Sequence, residues 1–190
     1  MKESPMSDNI VEKLRWYQSF APSTITFHSI RTGKQVQEPS LAALDISGAG
    51  KGKLPPYAIG DVSVPLPMER CRAVGNAALD YRDIPGVVVF SPLRNGQIAD
   101  YAAAQYLFRK LFCQVRSGIG ISTLIKPILC ICIQEHTTEV EERALIDAGI
   151  QMGARRVQLY RESFSAMRDR ARSDPKLRRG YILHIEPQDE

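Results

Sequence analysis

No uninterrupted apolar run in the sequence nears the ~20 residues that a membrane-spanning helix needs. The longest, residues 127–133, has only the length of a strand. There is no Cys-x-x-Cys pair, and the three histidines, His28, His136 and His184, have no zinc-like spacing to the four cysteines, Cys71, Cys113, Cys130 and Cys132. No metal is therefore expected. Cys130 and Cys132 stand two apart in a strand-like run, so they share a face and pack as small hydrophobes in a reducing compartment. The opening MKESPMSDNIVEKLRWYQSF lacks the apolar centre of a secretory signal, so no export is implied and a cytoplasmic location is expected. The glycine- and lysine-rich SGAGKGKLPP lacks the Gly-Lys-Ser/Thr ending and the following helix of a phosphate-cradling P-loop, which makes it a surface connection. No nucleic-acid module is visible, and nucleic acid is not an expected partner.

What is present fits one globular unit: 190 residues, 44% hydrophobic and 24% charged, enough for a single sizeable core with at most a small appended subdomain. The formal charge of +4 is unevenly spread. Between residues 155 and 179 the basic side chains, among them Arg155, Arg156, Arg168, Arg172, Arg178 and Arg179, far outnumber Glu162, Asp169 and Asp174. Such a stretch suits an acidic partner or an anionic lipid surface, and it equally suits a solvated helix face.

The pattern along the chain is α/β. Residues 1–22 read as an N-terminal extension with a short helix over 10–17, and residues 23–190 as one domain. Alternation in Ser23-Thr24-Ile25-Thr26-Phe27 predicts a strand, Thr32-Gly33 a turn, and residues 41–46 and 57–59 further strands. Residues 62–85, with Pro65, Pro67 and Gly75, predict a less regular inserted subdomain holding one short helix over 68–76. Val87 to Phe90 is a buried strand. Tyr101, Ala104, Leu107, Phe108, Leu111, Phe112 and Val115 recur at three and four, marking the buried face of a long helix over 98–116 with Asp100 at its start and Gly118 and Gly120 ending it. The apolar run 128–133 predicts a central parallel strand. Thr138-Glu139-Val140-Glu141 then forms a capping box, Gly153 supplies the helix stop, and residues 157–160 give the next parallel strand.

Four blocks in this order resemble the bacterial actin homologue MreB family: PLRNGQIADY at 92–101, the Lys-Pro strand at 126–133, TEVEERA at 138–144 and the Gly-Ala strand at 153–163. Upstream, TGKQVQEPSLAALD at 32–45 is similar to the family's Asn-Glu-Pro-Ser strand pair. The resemblance implies the first half of an actin-like ATPase, a ribonuclease H-like mixed sheet flanked by helices. It also implies two glycine hairpins whose backbone amides hold phosphate. At the first hairpin this chain has QSFAPST, so Ser23 and Thr24 stand at a nucleotide site without its aspartate and glycine. At the second it has HIEPQDE, where proline lacks an amide and Glu186 and Asp189 oppose phosphate. Glu162 matches the family's water-positioning glutamate, followed here by Ser163 in place of proline.

These departures predict a degenerate ATPase with no catalytic residue beyond the vestigial Glu162, and with neither ATP nor magnesium as a cofactor. The expected role is that of a non-catalytic interaction or assembly partner in cell-shape, division or cytoskeletal machinery, bound to itself or to another actin-like protein and also suited to a membrane surface. The alternatives are a nucleotide-binding ATPase half completed by a partner chain, or a ribonuclease H-like enzyme. The latter needs carboxylates converging on metals, and Asp45, Asp61 and Asp100 lie on segments with no evident convergence.

Overall fold

The structure is a computed structural model that describes residues 14, 17–18, 21–47, 66, 68–116 and 126–187. The strand expected at 57–59, the loop after Ser47, Gly118, Gly120, Asp61 and Asp189 lie outside the described residues, as does most of the helix expected at 10–17. The elements follow in the order β1 (Thr24–Ser29), β2 (Gln35–Pro39), β3 (Ala42–Asp45), β4 (Cys71–Val74), β5 (Val87–Phe90), β6 (Leu93–Arg94), β7 (Gln97–Ile98), α1 (Tyr101–Arg116), β8 (Ile128–Cys132), α2 (Glu139–Gln151), β9 (Arg156–Tyr160), α3 (Phe164–Ser173) and β10 (Tyr181–Glu186).

The main sheet has the order β2-β1-β10-β8-β9. β10, β8 and β9 run parallel, whereas β1 is antiparallel to both β10 and β2. The sheet is thus mixed and flanked by helices on both faces, as the resemblance implied. On one face α1 and α2 bury Leu107, Phe108, Leu111, Phe112, Leu145 and Ala148 against Ile25, Phe27, Leu129, Ile131, Leu183 and Ile185. Each fully buried side chain of this size contributes roughly 1.5–3 kcal/mol by leaving water. On the other face α3 lays Met167 and Ala171 over Cys130, Cys132 and Ile182. The alternation of strand side chains assigns the two cysteines to the same side.

β10 is the unexpected element. It follows α3 in the chain yet occupies the middle of the sheet, with Leu183 opposite Phe27 on one side and Ile131 on the other. The resemblance placed residues 184–190 at a second phosphate hairpin; here 184–186 are ladder residues of the first sheet.

A second sheet, β4-β3-β5, is antiparallel throughout. The short helix expected over 68–76 is replaced by a 3-10 turn at Met68–Arg70, then β4, then a 3-10 helix at Gly75–Tyr81. Backbone pairing of Cys71 to Val74 with β3 overrides the local helical preference there. The described part of 62–85 is therefore joined by the ladder to β3, which pairs on its other side with β5. From the N-terminal stretch, Leu14 and Tyr17 are buried with Ala42, Leu44, Leu66, Met68 and Phe90. Tyr17 stacks on Phe90 with ring centroids 6.0 Å apart. Burial and the neighbouring Asp100 carboxylate push the Tyr17 phenol up to about 12.

Candidate functional site at the strand ends

Parallel strands present their carboxyl ends to one side of a sheet, which is where open α/β sheets hold ligands. Here that edge gathers Gln134 and Glu135 after β8, Glu162 after β9, and Glu186 with Pro187 at the close of β10. Thr24 pairs with Glu186, so the start of β1 lies at the same edge. The β6–β7 hairpin closes it from above: Asn95 and Gly96, with φ of 51° and 81°, form the positive-φ turn that an Asn-Gly pair permits. A cleft of about 220 Å³ opens between this hairpin and α2. Its walls are largely apolar, with Ile98, Tyr101, Ile133, Val140, Leu145 and Ile185, and Gln97, Gln134, Thr137 and Glu141 add polar groups.

Helix N-termini at such an edge can bind anions through their free amides. Each of the three helices here spends an amide on its own chain. Asp100 Oδ1 accepts from the Ala103 amide at 2.9 Å. Thr138 and Glu141 cap α2 reciprocally: the Thr138 amide donates to Glu141 Oε2 at 2.8 Å and the Glu141 amide to Thr138 Oγ1 at 3.4 Å, the expected capping box. Ser163 Oγ accepts from the Ala166 amide at 3.3 Å. Glu139, Glu141 and Glu142 also fill the first turn of α2 with negative charge.

The candidate residues are placed as follows. Ser23 is buried, 1% exposed, in a knot of serines. Its Oγ accepts from the Gly96 amide at 3.0 Å, and its amide donates to Ser40 Oγ, which lies 2.8 Å from Ser91 Oγ. Thr24 opens β1 as a ladder residue. Glu162 is ion-paired with Arg170 of α3, whose Nε donates to Glu162 Oε2 at 3.1 Å. Ser163, not Glu162, caps the helix. Nothing in the sequence advertises the Glu162–Arg170 pair, which spans a loop and two helical turns. The serine knot was equally hidden, since its members are 17 and 51 residues apart.

Carboxylates do not converge among the described residues. Asp45 lies in the small sheet, bonded to Ser47 and Arg72, which together hold its carboxyl well below the usual range. Asp100 caps α1 instead. No group of three or more His, Cys, Asp or Glu able to hold a metal occurs among the described residues. The six arginines divide by position. Arg155 and Arg156 at the start of β9, and Arg178 and Arg179 just before β10, are exposed at the amino end of the parallel strands, as is Lys126. Arg168 and Arg172 belong to α3. No helix among the described residues is long and apolar enough to cross a membrane.

A family model described as MreB/Mbl protein matches residues 61–167. The cell shape-determining protein MreB of Haemophilus influenzae is 31% identical over 80 residues, 42% of this chain and 22% of that protein. The cell shape-determining protein Mbl of Bacillus subtilis is 29% identical over 141 residues, covering 74% of this chain and 36% of Mbl. The crystal structure of MreB5 of Spiroplasma citri bound to ADP aligns with a TM-score of 0.52 at 23% identity, over 73% of this chain and 35% of that one. The chain thus spans about a third or less of the length of these relatives. With a mixed sheet flanked by helices, an actin-like neighbour in structure and a family match over more than half its length, the chain belongs to the MreB/Mbl family.

Proposed function

We propose that this chain is a non-catalytic, actin-like interaction or assembly protein of the bacterial cell-shape, division or cytoskeletal machinery, working in the cytoplasm. The observation that carries this reading is how the strand ends are occupied. Where a nucleotide's phosphates would need free backbone amides, Ser23 is locked in the serine knot, Pro187 has no amide to offer and Glu186 is acidic. Glu162 aligns a hydrolytic water only opposite a metal-bound triphosphate, and its carboxylate is held by Arg170 instead. The exposed Arg155, Arg156, Arg178 and Arg179 at the other end of the sheet, with Arg168 and Arg172 on α3, are the surface assigned to a partner: a second copy, another actin-like protein or an anionic membrane surface. Long-range attraction brings such a partner in, and salt weakens it.

A second reading, a nucleotide-binding half completed by another chain, is favoured by one observation. The chain aligns with only 35% of a relative solved with ADP bound. Calorimetric titration of Mg-ATP into the purified chain, with thermal shift in parallel, separates the two, because a ligand of the native state must stabilise it. The non-catalytic reading expects neither heat nor shift at millimolar nucleotide. Saturable binding that Glu162→Ala or Thr24→Ala abolishes would overturn it.

A further inference from the structure

α3 sits on an unusual seat. His28 of β1 and His184 of β10 occupy diagonal positions on one face of an antiparallel pair: His28 lies opposite Ile182, and His184 opposite Thr26. Such diagonal neighbours are close enough for large side chains to share a contact. Phe164, the first residue of α3, supplies it. Its ring meets His28 edge-on, centroids 5.9 Å apart at 88°, and stacks on His184 at 5.7 Å and 27°. Arg168, one turn along, brings its guanidinium carbon to 6.0 Å from the same ring. Nδ1 of both histidines and Nε of Arg168 are buried without a hydrogen-bond partner among the described residues.

Neutral imidazoles tolerate this seat, and imidazolium ions do not. Facing His28 from α3 are the positive Arg168 and Arg172. β8 contributes only the thiols Cys130 and Cys132, whose burial pushes them up to about 12, and so neutral. Beside Cys132, β9 brings the Tyr160 phenol, also raised chiefly by burial, and Glu162, whose carboxylate is turned to Arg170. Among the described residues Glu186 of β10 is the carboxylate acting on His184, and burial outweighs it there. Asp169 pairs with Arg172 at the exposed surface of the helix.

We propose that the packing of α3 on the sheet is a proton-operated latch, closed while His28 and His184 are neutral and opened when they are protonated. The sign follows from burial, which lowers both groups below the ordinary imidazole range near 6.5. Above that range the latched and open forms bind no protons here, and latching does not depend on pH. Below it, the open form takes up protons that the latched form refuses. The latching constant then falls as much as tenfold per pH unit for each histidine. Opening uncovers Cys130, Cys132 and Ile182 and parts Arg170 from Glu162.

The test is hydrogen exchange of the full chain followed by mass spectrometry at pH 7.5 and 5.5, corrected for intrinsic rates. Peptides over α3 are compared with those over α1 and α2. The latch expects α3 protection to fall at least tenfold more than that of the other two helices at the lower pH. It also expects His28→Gln with His184→Gln to abolish the difference while α1 protection persists. Should the double variant fail to fold, Arg168→Met serves: removing the cation that opposes protonation must weaken the pH dependence. Equal acid response in all three helices, or an unchanged response in these variants, would overturn the latch.

Discussion

Replacing Leu183 by alanine tests the placement of β10 most directly. Leu183 is fully buried in the large core and lies opposite both Phe27 and Ile131, so truncation leaves a void at the centre of the sheet that rigid neighbours on two strands cannot fill. Lost transfer free energy plus an incompletely collapsed cavity cost 2–5 kcal/mol at such sites, and about 3 kcal/mol is expected here. For a chain of this size each kcal/mol shifts the melting temperature by about 2–4 °C, giving a fall of roughly 6–12 °C. Urea unfolding at constant m-value reads the free energy directly. Val140→Ala, at a side chain 80% exposed, is the control and should stay within about 0.5 kcal/mol of the parent. If Leu183→Ala matched that control, residues 181–186 would not be the central strand, and the topology derived above would be refuted.

Three further outcomes are expected. Gly149→Ala brings a Cβ to 2.6 Å from Val157 Cγ2 and 3.1 Å from Leu129 Cδ2, so overpacking of about 1–3 kcal/mol should outweigh the helix-propensity gain of about 1 kcal/mol, giving a lower urea midpoint rather than the usual stabilisation. Asp45, lowered by its bonds to Ser47 and Arg72, contributes stability that is present above the ordinary carboxylate range and lost as pH falls through its depressed value in the folded chain. Asp45→Asn should therefore flatten the acid limb of a stability–pH profile below about pH 4 and leave its shape above pH 6 unchanged. At pH 7.5 iodoacetamide should modify the exposed Cys113 rapidly and spare Cys130 and Cys132, which burial keeps as thiols; intact-mass analysis after native labelling counts the adducts.

The elements that could be read from the sequence are those whose signals are local. The α1 stripe, the Thr138–Glu141 capping box and the apolar β8 run each state their structure within a few residues. The box and the run formed as expected, while α1 begins at Tyr101 rather than 98, because Gln97–Ile98 pair in β7, and buries its stripe except for the exposed Tyr101. Asn95-Gly96 is a hairpin signal of the same local kind, lying inside the block at 92–101 that carries the family resemblance. Cys71 to Val74 went the other way, since its state is decided by a partner strand about thirty residues earlier. The seat of β10 was harder still. Its neighbour β1 is more than 150 residues away in sequence, and no periodicity within 181–186 says which gap the strand enters. The site shared this limit. Glu162, Ser23 and Thr24 could be located, but the groups that occupy Glu162 and Ser23, Arg170 and the Ser40–Ser91 pair, come from tertiary contact alone.

The position of β10 also governs how the chain acquires its structure during synthesis. β1 and β8 are on hand early, but the edge of each that faces the other has no partner until residues 181–186 have been made and inserted between them. A nascent chain ending before that point carries two open strand edges and a half-covered apolar face, the features that invite mispairing. Closure then requires the most sequence-distant contacts in the fold to form last, so loop entropy slows it. The chain thus has a long window in which a chaperone, or a strand from another polypeptide, can compete for the same gap.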